Sequence, residues 1–77
     1  MTAVQNMETK ALVMATYQIY HFIEEKLAAS PFKHLHLQLL NSHIQDYYQN
    51  QVTYLECVAN MTLLMKHIED FIQIDSD

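Results

Sequence analysis

Three histidines in this chain each precede an acid by three residues: His21 and Glu24, His43 and Asp46, His67 and Asp70. Residues three apart share a face of a helix, and an imidazole beside a carboxylate is both a metal-ligand set and an acid–base pair. Carboxylate and histidine sets on facing helices hold metals in helical bundles. The order known there runs Glu-x-x-His with further glutamates, and here it is reversed. Five histidines and nine acids in 77 residues also generate such pairs by composition alone. The pairs fall largely off the apolar row described below, where a bundle-core site would have to sit. They are expected to be solvated helix-face pairs, with no metal or cofactor.

His34 and His36 beside Lys33 would form a pH-sensitive patch, because histidine titrates near neutrality. The simpler expectation is that they are exposed residues in the first turn of a helix. Nucleophilic chemistry needs a serine or cysteine beside a positioned base. Ser30, Ser42 and Ser76 stand in a cap, on a helix face and in a tail. Cys57 has no basic residue within one helical turn to lower its pKa, and a lone cysteine on an apolar face is expected to be a buried small hydrophobe. The sequence therefore predicts no enzyme.

The totals agree with a binding protein more than with a catalyst. Formal net charge is −5, from nine acids and four lysines with no arginine. Nucleic-acid binders draw affinity from Lys and Arg on phosphates, and anionic membrane surfaces attract the same cations. Both classes of partner are disfavoured. No run approaches the roughly 18 to 20 apolar residues that span a bilayer, and Met1 to Lys10 has no signal-peptide core. A cytoplasmic location follows as the default expectation.

Glycine is absent and proline occurs once, so the Gly-rich turns of sheets and phosphate loops have no raw material. The chain reads as a single all-α domain over residues 1–77. Thr2 to Gln5 matches a capping box, and apolar positions Leu12, Ile19, Ile23 and Leu27 recur at helical spacing to Ala29. Ser30-Pro31 ends that helix, because proline disfavours α geometry in the residue before it. The same pair opens the next helix, with Ser30 as N-cap and Pro31 at N1. A connection so short predicts an antiparallel helical hairpin.

From Leu37 the steps of three and four give Leu37, Leu40, Ile44, Tyr47, Gln51, Tyr54, Val58, Met61, Met65, Ile68 and Ile72. That spacing belongs to a helix seam packed on another helix. Unbroken, it would be one helix over 31–74, about 64 Å long against about 40 Å for the first. Gln49 to Val52 is the most polar gap in the row, and Thr53 to Glu56 is another capping box with Val52 and Cys57 placed as a staple. The break is preferred. It yields a small three-helix bundle with helices over about 3–29, 31–49 and 53–74, and an acidic tail at 75–77 that opposes the helix dipole and should fray.

A chain of this length closes a small core, and such chains commonly rely on a partner. The seam residues are therefore the expected self-association surface, with a homodimer as the expected assembly. Val52, Ala59, Leu63 and Ile74 fall on the opposite side of the last segment, as a second contact face. Met7, Met14, Met61 and Met65 suit core packing and also adaptable grooves, while five tyrosines suit surfaces with one wet and one dry edge. The functional expectation is a small acidic protein that binds another protein through apolar helix faces, as a regulator, inhibitor or chaperone-like adaptor. A purely structural subunit is the alternative.

Overall fold

The computed structural model describes residues 3–76, and the side chains of residues 3–74. Three helices follow one another: α1 over Ala3–Lys26, α2 over Lys33–Tyr48 and α3 over Tyr54–Ser76. The row from Leu37 to Ile72 is thus carried by two helices, and the single helix over 31–74 is ruled out. The Thr2 cap and Asp77 lie outside the described residues. Helix α3 continues through Ser76, so residues 75–76, assigned to the tail on dipole grounds, are helical.

The first junction differs in detail from the sequence reading. Helix α1 ends at Lys26, before the expected Ala29, and α2 starts at Lys33. The chain turns in between through the Ser30 amide on the Leu27 carbonyl at 3.0 Å and the Lys33 amide on the Ser30 carbonyl at 3.3 Å. The Ser30 hydroxyl accepts the Phe32 amide at 3.1 Å, the bond expected of a cap at Ser30, although the helix itself begins later, at Lys33. The residue that flanks α2 is Phe32, with no side-chain cap. Proline explains the shift, since it holds Ser30 out of α geometry and spends a turn before the helix ladder begins.

The second junction has two interlocking caps. Asn50 adopts φ 61°, the left-handed conformation that asparagine tolerates better than most residues. Its amide reaches the Tyr47 carbonyl at 3.1 Å and the Gln51 amide reaches that of Asp46 at 2.8 Å, the paired bonds that close a helix C-terminus. Three residues later Thr53 and Glu56 form the capping box that starts α3.

The short junctions fold α2 back antiparallel to both neighbours. At one end the Thr9 hydroxyl lies 3.2 Å from that of Tyr47, tying the start of α1 to the end of α2. At the other, Lys33 pairs with Glu24 at 2.6 Å. The core takes Leu12, Ile19, Ile23 and Leu27 from the first segment, Leu40 and Ile44 from α2, and Cys57, Met61, Leu64 and Ile68 from α3. Helix α2 packs more closely on α1 and on α3 than those two pack on each other.

Candidate partner-binding groove

The histidine–acid pairs do not assemble into a site. Glu24 is taken by Lys33, whose hydrogen bond holds its carboxyl below the usual carboxylate range, while His21 stands edge-on to Tyr20 at 5.9 Å. His43 contributes its backbone carbonyl to Cys57, and Asp46 its carbonyl to Gln51. Among the described residues, no three His, Cys, Asp or Glu side chains converge as a metal-binding group.

The expectation that His34 and His36 are exposed first-turn residues holds for His34 and fails for His36. His34 is exposed, Lys33 is engaged with Glu24, and His36 is buried at 3% exposure. Its Nδ1 lies 2.8 Å from the Phe32 carbonyl, which only accepts, so that nitrogen carries the proton. Its ring sits 5.7 Å from those of both His67 and Phe71. The reason is register: once α2 begins at Lys33, His36 stands four and eight residues before Leu40 and Ile44, on the buried face. That spacing was present in the sequence.

Cys57 is buried, and burial pushes its thiol up, with the nearby Asp46 charge acting in the same direction. The thiol donates toward the His43 carbonyl at 3.5 Å and toward the Met61 sulfur at 3.8 Å. The first contact joins α3 to α2, and the second lies within α3.

The seam residues divide by position. Leu40, Ile44, Met61 and Ile68 are buried, and Leu37, Tyr47, Tyr54, Met65 and Ile72 pack partly against them. Val58, also on the row, stays 37% exposed. Cys57 and Leu64 enter the core from outside the row, because α3 faces two helices and its apolar arc must be wider than one seam. The residues of the second face lie in two places. Val52 sits in the α2–α3 junction and packs on the core, while Ala59, Leu63 and Ile74 are exposed on α3. Val52 precedes the first helical turn and so cannot share their strip.

Exposure at Val58 marks a larger feature. Between α1 and α3 a groove of about 660 Å³ opens. Its floor is Leu12, Ile19 and Met61, and its walls are Ala11 and Ala15 on α1 and Val58, Thr62 and Met65 on α3. Small side chains on the α1 wall keep it open. Thr62 gives its hydroxyl to the Val58 carbonyl at 2.8 Å. Met7 and Met14 stand one turn on either side of Ala11, outside the groove lining, and are 72% and 55% exposed. Tyr54 closes one end, and Glu69 and Asp70 stand at the other.

Comparison of the chain with protein-family models, with curated proteins and with solved structures gives no match in any of the three.

Proposed function

We propose that this protein is a non-enzymatic binding module that accepts an amphipathic helix of another protein in the α1–α3 groove. The observation that carries this reading is the groove itself: an open apolar channel between two helices, with Val58 and the flanking methionines left uncovered. From Tyr54 to Glu69 it runs about 22 Å at 1.5 Å per residue, the length of a helix of about four turns. A helix laid there would bury its apolar face as a fourth member of the bundle. Methionine walls suit such a role, since their unbranched side chains repack around different apolar surfaces. Regulation, inhibition or chaperone-like holding would each follow from covering a partner's helix.

Self-association is supported less well. Four of the ten seam residues expected to self-associate, Leu40, Ile44, Met61 and Ile68, are buried within one chain. The test is a backbone NMR titration with a neutral amphipathic Leu/Ala helical peptide of about 15 residues. The expected result is shifts concentrated at Ala11, Ala15, Val58 and Met65. No saturable shifts, or shifts centred on Leu63 and Ile74, would overturn the proposal.

A further inference from the structure

The groove is apolar inside but its surroundings are acidic. Glu69 and Asp70 line one end. At the other, Glu8 stands three residues before Ala11 and lines the adjoining recess that shares Tyr54. Lys66 is the one cation on the lining. Among the described residues, Glu8, Glu69 and Asp70 take part in no ion pair. Three carboxylates therefore stand at the ends of the apolar channel; with Lys66 one turn before Glu69 and Asp70 and Lys26 lining the next recess beside Glu69, acids still outnumber cations around the groove.

From this we infer that the occupant is a cationic amphipathic helix of a different protein: apolar along one face for about four turns, with Lys or Arg at both ends. The inference rests on the helix-accepting reading of the groove and adds the chemistry of the partner. An apolar stripe on the incoming helix covers Val58, Met65 and the two alanines, and its terminal cations meet Glu8 on one side and Glu69 and Asp70 on the other. Complementary charge placed around an apolar contact raises the encounter rate and selects among helices of equal hydrophobicity.

A second copy of this chain fits the same groove poorly. Each copy carries −5, so pairing brings like charges together. Of its four lysines, Lys26 and Lys33 already pair with Glu25 and Glu24. Only Lys10 and Lys66 remain to answer the three groove-end carboxylates. The acidic ends equally oppose an anionic lipid surface.

The experiment uses the full chain and three synthetic helices with one apolar face, differing only in their flanks: lysine, neutral glutamine, or glutamate. Affinities are read by fluorescence anisotropy at about 50 mM and about 300 mM salt, and the site is located by NMR shifts. The expected result is that the lysine-flanked helix binds at least about tenfold tighter than the glutamate-flanked one at low salt, with the gap narrowing at high salt. In the Glu69→Lys/Asp70→Lys variant, whose fold is checked by circular dichroism, the preference should shrink or reverse. In Ala15→Glu all three helices should lose affinity. Equal binding of all three helices in the groove would overturn the cationic partner and leave the groove reading standing. Binding of none would overturn both. A dimer in light scattering that Ala15→Glu dissolves would assign the groove to a second copy and overturn the inference.

Discussion

Thr53 and Glu56 satisfy each other's backbone: the Thr53 amide donates to the Glu56 carboxylate at 3.0 Å, and the Glu56 amide donates to the Thr53 hydroxyl at 3.2 Å. This reciprocal pair starts α3 only three residues after Asn50 has ended α2. The two helices that carry one seam are therefore separated by local chemistry and not by loss of apolar periodicity. Thr53→Ala removes the hydroxyl and should cost about 1 kcal/mol. Thr53→Ser should retain most of it. Urea unfolding followed by circular dichroism distinguishes the two.

The same pair gives stability a pH dependence. The Thr53 amide, and secondarily its side chain, hold the Glu56 carboxyl below its ordinary value of 4.5. Lys33 does the same for Glu24. A group whose folded value is depressed contributes stability above its unfolded value and loses it as pH falls through the folded one. The contribution of these two carboxylates to the urea midpoint should therefore hold between pH 7 and 5 and decline from about 4.5 downward. Glu24→Gln and Glu56→Gln should each flatten part of that decline. An unchanged slope in both would separate these contacts from acid stability.

The all-helical architecture was legible because no glycine and one proline leave few ways to turn, and because the caps are local signals. The break at residues 49–53 was readable from Thr53 and Glu56, and Asn50 offered a second signal that polarity alone obscured. Helix ends were less legible. Ser30-Pro31 marks a junction, but whether Ser30 caps the helix or a preceding turn depends on how the chain packs. The core was read too narrowly, since a three-and-four row describes a helix with one neighbour. Helix α3 has two, so Cys57 and Leu64 are buried beside it and His36 is drawn in from α2. The groove was not legible, because its position depends on how α1 and α3 pack on each other and on α2. The sequence held only its materials, the paired methionines and small alanines.

Asn50 is the one described non-glycine residue at positive φ. A side chain with a branched or simple Cβ strains there, while glycine fits without cost. Asn50→Gly should leave stability unchanged or slightly raised, and Asn50→Ala should lower it by about 1 kcal/mol. Asn50→Val should cost more than alanine. If all three unfold at the same urea concentration, the left-handed turn contributes nothing to the junction.

Ile23 and Ile68 are fully buried, whereas Leu63 and Ile74 are 65% and 77% exposed. Ile23→Ala and Ile68→Ala each remove buried methyl groups and leave a cavity, at about 2 to 5 kcal/mol. For a chain of this size that is enough to unfold much of the population at ambient temperature. Leu63→Ala and Ile74→Ala should stay within about 0.5 kcal/mol. Val58→Ala and Met65→Ala, at the groove, should fall between these extremes, because their outer surfaces have no covering to lose. Thermal melts of the six variants order them, and a large loss at Leu63 would place that residue in the core.

Cys57 provides a direct probe of whether α2 and α3 stay together. Its thiol is enclosed, raised by burial and by the Asp46 charge, and hydrogen-bonded toward α2. The thiolate is the reactive form, so both its small fraction and its enclosure should slow modification. At pH 8 a disulfide reagent should label the native protein slowly and the urea-unfolded protein within the mixing time of the assay. Oxidised dimers should then form only under conditions that open the bundle. Cys57→Ala should preserve the fold with a modest loss. Cys57→Asp would bury a charge beside Asp46 and should abolish cooperative unfolding. Rapid labelling of the native protein at the unfolded rate would show that α3 separates from α2 faster than the reagent reacts.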